Sequence, residues 1–241
     1  HYHKHHQAVC QFRANRQNPA LSLFEGLQVI PTPHVGRAVI ATQEFAAQAL
    51  VLIEPPALFF NARLGYLELF DAFLRLSQKE QAQVLDMQGG PLDSRRQFLV
   101  QGEYQSFQHN RRLAAQYLTL ENAKHLLSIV NTNAHRFPLE EGGGTVRDHY
   151  TGLFPKASLV EHSCHPNCSI VIRQGLLYYI AERKIQPLER ISISYQGCIY
   201  EQPRHFRQAF LHENKAFWCQ CTRCLSWDEC NPIACPHCTD G

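Results

Sequence analysis

The stretch Glu161-His162-Ser163-Cys164-His165-Pro166-Asn167-Cys168 decides the reading of this chain, because it holds two cysteines far upstream of a second thiol group, Cys219-x-Cys221-x2-Cys224. Thiolates spaced as in the downstream group can be wrapped round a tetrahedral ion by one turn of chain, and zinc is the usual metal of all-sulfur structural sites. Three sulfurs leave a fourth position, for which Cys164 and Cys168 are the nearest candidates. A ligand taken from so far back would pin the tail onto the body of the protein. Farther on, Cys230, Cys235 and Cys238, with His237 among them, form a candidate second site of three thiolates with or without an imidazole, or else a set of uncoordinated surface thiols. Of the ten cysteines all but Cys10 follow Val160. That clustering favours metal over disulfides, and with it a reducing intracellular compartment, nucleus or cytoplasm.

Outward from this stretch the chain alternates in character. Short β-rich runs at Leu27 to Ile30, Ala38 to Ala41 and Ala49 to Ile53, separated by Pro31, Pro33 and Gly36, predict a small antiparallel sheet. From Leu64 to Asp86, Leu67, Phe70, Leu74 and Leu76 recur at helical spacing opposite Glu68, Asp71, Arg75, Lys79 and Glu80, which predicts one or two helices. After the breaker Gly89-Gly90-Pro91 a second helical pattern runs from about Arg111 to Val130, and Gly142-Gly143-Gly144 marks a loop. Strand signals return at Ser169 to Arg173, Leu176 to Ala181 and Ile191 to Tyr195, with Gln174-Gly175 as a hairpin turn. Pro203 suits the first turn of a final helix bearing Phe206, Phe210 and Leu211. The result is an α+β chain, mainly β: sheet, helical insert, sheet, metal-stapled tail.

Composition removes other classes. A charge of +2 from 23 basic and 21 acidic residues marks no general nucleic-acid or membrane surface. The longest apolar stretch, Ala49 to Phe60, is broken by Glu54, Pro55 and Pro56, well short of the roughly 18 to 20 residues of a membrane span. Neither cysteine set is followed by a basic recognition helix, so no direct nucleic-acid contact is expected. The opening His1-Tyr2-His3-Lys4-His5-His6 reads as an exposed terminus.

His162-Ser163-Cys164-His165-Pro166-Asn167 resembles the asparagine-histidine-serine-cysteine-x-proline-asparagine signature of SET-domain methyltransferases. Ile191-Ser192-Ile193-Ser194-Tyr195 resembles the strand ending in tyrosine that follows it. Gly36-Arg37-Ala38-Val39-Ile40-Ala41 is similar to the glycine-rich opening of the domain, and Cys219-x-Cys221-x2-Cys224 to its post-SET zinc motif. These four motifs stand in the family's order. The split layout, with Asn131-Thr132-Asn133-Ala134 after a helical insert and Phe217 just before the cysteines, looks closest to the SMYD-like group and the fungal SET proteins built like it. No cysteine lies between Pro56 and Asn131, so no MYND finger is visible there. The resemblance implies a SET fold of small β-sheets with a C-terminal pseudoknot, and a division into an extension (1–26), the first part of the SET domain (27–58), the insert (59–130), the second part (131–200) and a zinc-binding post-SET region (201–241).

It also implies S-adenosylmethionine as cofactor, zinc, and a protein lysine, histone or other, as substrate. Tyr195 would be the catalytic residue beside the sulfonium and the amine. Gly36, Arg37, Asn133, Glu161, His162, Tyr195 and Phe217 would bind cofactor, with Phe217 over the adenine. Cys164, Cys219, Cys221 and Cys224 would carry zinc. A free lysine amine has a pKa of about 10.4, and desolvation beside a cation pushes it toward the neutral nucleophile, so no dedicated base is required. Three positions depart from the pattern. Glu161 stands for an asparagine, Ala38 for the second glycine, and His135 where the SMYD-like group often has phenylalanine. A carboxylate at 161 only accepts hydrogen bonds and repels a cofactor carboxylate. A pseudoenzyme or interaction module, and a pocket turned to a small molecule, are therefore the competing readings.

Overall fold

Short strands and a block of four helices make up the computed structural model, which describes residues 18, 22–33, 36–111, 116–138, 149–197, 201–227 and 230. In chain order come β1 (Leu27–Thr32), β2 (Gly36–Ala41), β3 (Leu50–Glu54), β4 (Leu58–Asn61), a 3-10 turn (Ala62–Leu64), α1 (Gly65–Leu74), α2 (Gln78–Leu85), α3 (Ser94–Asn110), α4 (Leu120–Asn133), β5 (His135–Pro138) and β6 (His149–Leu153). A second 3-10 turn (Ala157–Leu159), β7 (Glu161–His162), β8 (Cys168–Arg173), β9 (Leu176–Ala181), β10 (Ser192–Ile193), α5 (Arg204–Lys215) and α6 (Thr222–Leu225) follow. The class is α+β with small sheets, as expected; among the described residues none is wider than three strands.

These elements gather into two compact units. Of the described residues, one takes in those of 50–159 and 170–180 with those before Leu27; the other takes in those of 27–49, 160–169 and from Ala181 onward. In the first, the sheets β3-β9-β8 and β4-β6-β5 accompany the four helices. Helix starts follow side-chain chemistry. Ser77 and Glu80 form a capping box on α2, Asp93 accepts from Arg96 N at the start of α3, and Thr119 accepts from Asn122 N at the start of α4. Leu69, Phe70 and Phe73 of α1, Val100, Tyr104 and Phe107 of α3 and Leu126 and Leu127 of α4 share one core with Leu58 and Phe60 of β4. Phe70 and Phe107 meet edge to face at 5.5 Å.

The insert differs from expectation in one element. The helical pattern anticipated from Arg111 is α4 and begins only at Leu120, while α3, which the sequence reading passed over, fills Ser94–Asn110. Its core stripe is thin, only Val100, Tyr104 and Phe107 at i, i+4 and i+7, while Phe98 and Leu99 face outward and blur the period. Tyr117, counted into the expected helix, lies in a turn and is exposed. The Gln174-Gly175 hairpin turn is present, with both residues at positive φ, 50° and 75°. The loop at 142–144 and the histidine-rich opening lie outside the described residues.

In the second unit β1 and β2 form an antiparallel hairpin, and β7 pairs with β10 in parallel. The run at 49–53 does not join that hairpin. Instead β3 pairs with β9, Leu50 opposite Ile180 through Glu54 opposite Leu177. The far edge of β2 is already taken by the Leu188–Ile191 segment, with Leu188 N donating to Ala41 O at 2.8 Å and Ile191 N to Val39 O at 2.8 Å. The strand expected over Ile191 to Tyr195 shortens to two residues, because Ser194 Oγ turns the chain by bonding Gln196 O and accepting from Gln196 N.

Candidate active site and metal centre

Helix α5 and the segment after it position three of the four clustered sulfurs. Pro203 opens α5, and Ala216, left-handed at φ 60°, closes it and turns the chain toward Phe217 and the cysteines. Gln208 of α5 clamps that turn from both sides: its Nε2 donates to Cys219 O at 2.7 Å, and its Oε1 accepts from Cys219 N at 2.8 Å. Arg207, fully buried beside Leu211, donates to Gln202 O at 2.5 Å and reaches Cys224 Sγ at 3.8 Å. The face of α5 that turns inward is thus Arg207 and Leu211, while Phe206 and Phe210 stay exposed.

The ligand atoms of Cys164, Cys219, Cys221 and Cys224 all lie within 4.8 Å of one another. Cys164 Sγ is 3.9 Å from Cys219 Sγ and 3.5 Å from Cys224 Sγ. Four sulfurs about 2.3 Å from a tetrahedral zinc stand roughly 3.8 Å apart, so the set fits that ion. None of the four is in a disulfide. Hydrogen bonds from Cys164 and Cys219 pull the Cys221 thiol down, and the same bond network pushes Cys164 up. As thiolates the four could share one cation, whose binding would release their protons. The choice between the two upstream cysteines falls to Cys164; Cys168 is buried at the start of β8, where burial pushes its thiol up to about 12. Cys230 receives Arg223 Nη2 at 3.4 Å, whereas His237, Cys235 and Cys238 lie outside the described residues.

Next to the sulfurs lies an aromatic cluster. The rings of His162 and Tyr195 are 5.2 Å apart, those of His162 and Phe217 6.1 Å, and those of Tyr195 and Phe217 6.4 Å at 89°. Tyr195 N donates to His162 Nδ1 at 3.0 Å, and Tyr195 Oη to Val160 O at 2.8 Å. Burial, then the nearby Glu161 carboxylate, pushes the Tyr195 hydroxyl up to about 12, so it stays protonated and donates. Burial pushes His162 down to about 4, leaving the imidazole neutral. Lys215 Nζ sits 5.5 Å over the Tyr195 ring, and desolvation lowers its pKa.

The segment holding His162 is stapled by a residue whose role the sequence reading did not single out. Asn167 is buried, its Oδ1 accepting from Ser192 N at 2.9 Å and its Nδ2 donating to Arg190 O at 2.8 Å and Glu189 Oε1 at 3.1 Å. Its place within the Glu161 to Cys168 stretch was the available signal; Arg207, Gln208 and Lys215 gave none. Glu161 is paired with Arg190 Nη1 at 3.2 Å. Gly36 has φ 77° and open space where a Cβ would stand, so its need for glycine is conformational, and Arg37 beside it is exposed. Ala38 is fully buried in β2. Asn133 belongs to the first unit, where its Nδ2 donates to Gln88 O at 2.8 Å and Ile129 O at 3.1 Å. His135 of that unit meets Phe154 edge to face at 5.9 Å.

Residues 36–196 match the SET domain. The chain belongs to the SET-domain family. Within it, the chain is 37% identical over 78 residues to the mouse "Histone-lysine N-methyltransferase SMYD3", covering 32% of this chain and 18% of that protein. It is 34% identical over 112 residues to the budding-yeast "Potential protein lysine methyltransferase SET6", covering 45% and 29%. It is 38% identical over 90 residues to the zebrafish "Protein-lysine N-trimethyltransferase SMYD5", covering 36% and 22%. The matches therefore span less than a third of these SET relatives. Among solved structures, the SET domain of LSMT bound to lysine and AdoHcy aligns with a TM-score of 0.49 at 16% identity, covering 79% of this chain and 54% of that one. Among the described residues no helix is long and apolar enough to cross a membrane.

Proposed function

We propose that this chain is the catalytic unit of an S-adenosylmethionine-dependent methyltransferase that acts on the ε-amine of lysine in a protein substrate. One observation carries the reading: His162 and Tyr195, inside the SET match, converge with Phe217 of the following tail in a single aromatic cluster, and the chain's relatives are named as lysine methyltransferases. When bound, the cofactor supplies a methyl group on a cationic sulfonium.

The chain's own residues supply position. Tyr195 is held at its amide and its hydroxyl, which would fix its ring and oxygen in one orientation toward the reacting pair. Phe217 offers a half-buried aromatic face suited to a purine. Gly36 and Arg37 would serve the cofactor's amino-acid end. Arg190 answers the departure at Glu161 by offsetting its charge, which favours a working pocket over a pseudoenzyme. Cys164, Cys219, Cys221 and Cys224 would hold zinc, whose chemistry here is structural: it orders the tail that presents Phe217 two residues before Cys219. Reduced thiols suit an intracellular compartment.

Calorimetric titration of the zinc-loaded chain with S-adenosylmethionine tests the reading, followed by a lysine-peptide screen. Saturable one-to-one binding and methyl transfer are expected, with Tyr195→Phe lowering kcat by roughly 100-fold, the order of loss for one positioned polar group. Absence of binding by the wild-type chain, or transfer to a metabolite and to no protein, overturns it.

A further inference from the structure

Tyr195 is gripped twice by the segment that leads into the sulfur cluster. Its amide donates to His162 Nδ1 at 3.0 Å, and its hydroxyl donates to the Val160 carbonyl at 2.8 Å. A backbone N–H can only donate, so Nδ1 must present its lone pair, and the proton of the neutral ring sits on Nε2. That nitrogen lies 3.3 Å from Cys164 Sγ, one of the four clustered sulfurs. The backbone sets the ring for this. His162 lies opposite Ile193 in the β7–β10 pair, and Ser163 N donates to Ile193 O at 2.9 Å, two residues before Tyr195.

We propose that His162 is a positioning residue that couples metal occupancy of the four-cysteine cluster to the placement of Tyr195. With metal bound, Cys164 is a thiolate, and an N–H bond to a charged acceptor is shorter and stronger than one to a neutral thiol. The bond from Nε2 to Cys164 then holds the imidazole in the one orientation in which Nδ1 receives the Tyr195 amide. The imidazole is an outer-shell partner of the metal through the sulfur, and groups of that kind tune both metal retention and ligand orientation. Without the metal, the ring loses its charged anchor, and the Tyr195 amide loses a fixed acceptor. The effect on methyl transfer rests on the function proposed above; the bridge itself does not.

The test loads the whole chain with cadmium-113 in place of zinc and labels its histidines and tyrosines with nitrogen-15. A scalar coupling from the cadmium through Cys164 Sγ to the His162 Nε2 proton is expected, with a tyrosine amide, Tyr195, that shifts when zinc replaces cadmium. In His162→Asn, Oδ1 keeps an acceptor for the Tyr195 amide but does not reach Cys164. That variant should lose the coupling and the metal-dependent shift, and it should release metal to a chelator with an affinity about 10-fold weaker. A His162 proton on Nδ1, no coupling to cadmium, or a Tyr195 amide indifferent to the metal would overturn the proposal. The wild-type measurement decides even where the variant does not fold. Coupling without S-adenosylmethionine binding would leave the bridge standing and sink the methyltransferase reading; binding without coupling would do the reverse.

Discussion

The helical insert of the first unit and the cysteine-rich tail of the second hold their chains by different means. In the first, a broad apolar core runs through α1, α3, α4 and β4, from Phe70 and Phe107 to Leu126 and Leu58, and packing carries the stability. In the second, the tail packs around Leu211 and three of the four sulfurs, with Tyr195 and Phe217 against them. Polar bonds fix the tail and its surroundings: Gln208 on Cys219, Arg207 on Gln202, and Asn167 on β10, beside the buried apolar residues Val39, Ile185 and Ile193 of the same unit. A short tail that must place a few side chains within an ångström gains more from directional bonds and ligation than from the few apolar residues it carries.

Metal removal should separate the two most sharply. Chelation, or Cys221→Ser, should abolish protection from amide exchange across 201–227 while α1 to α4 keep theirs, since apparent folding energies of structural zinc sites are on the order of 10 kcal/mol. The converse test is Phe107→Ala, which opens a cavity in the apolar core. It should cost about 3 to 5 kcal/mol by denaturant melts and leave the zinc content per chain unchanged. If either variant melts both units together, the contrast between packing and ligation fails.

Titration sharpens it further. Glu54, buried in the first unit, accepts from Lys156 N at 2.9 Å and Ala157 N at 2.7 Å, yet burial outweighs those bonds and pushes its carboxyl up to about 7. Below its ordinary value near 4.5 the group is protonated folded or unfolded, and its contribution is fully present. As pH rises from there through 7 the unfolded chain ionises first, so stability should fall by on the order of 3 kcal/mol and then level off. Glu54→Gln should flatten that dependence in thermal melts, while starting lower at pH 5 because an amide offers one acceptor to two N–H donors.

In the second unit Asn167→Ala strands the Ser192 amide and the Arg190 carbonyl, at an expected cost of about 2 kcal/mol. The smallest effect belongs to the pair beside the site. Arg190 is half exposed, so Arg190→Met should change stability by less than ~1 kcal/mol and weaken S-adenosylmethionine binding up to about fivefold. Adding Glu161→Asn should restore that binding in the same calorimetric assay.

Much of this was legible along the chain. The hairpin of β1 and β2, the Gln174-Gly175 turn and the paired helices α1 and α2 follow from period and turn chemistry, which are local. Helix α3 escaped because its buried stripe is three residues wide in seventeen and two outward apolar residues disguise it, although the Asp93 cap was readable. The partner of β3 escaped because strand pairing depends on which edges are free, and β2's free edge is taken by residues some 150 positions later.

For the site, spacing alone brought Cys219, Cys221 and Cys224 to one turn of chain, and the motif around His162 supplied the candidate residues that the fold gathers beside them. The resemblance already preferred Cys164 to Cys168, and the folded chain brings it to the other three sulfurs; only the folded chain set His162 between a sulfur and the Tyr195 amide and gave Glu161 its Arg190. Ligand spacing and residue type are properties of neighbouring positions and are written in order along the chain. Which nitrogen carries a proton, and which charge meets which, depend on distances between residues thirty to sixty positions apart, and those exist only after folding.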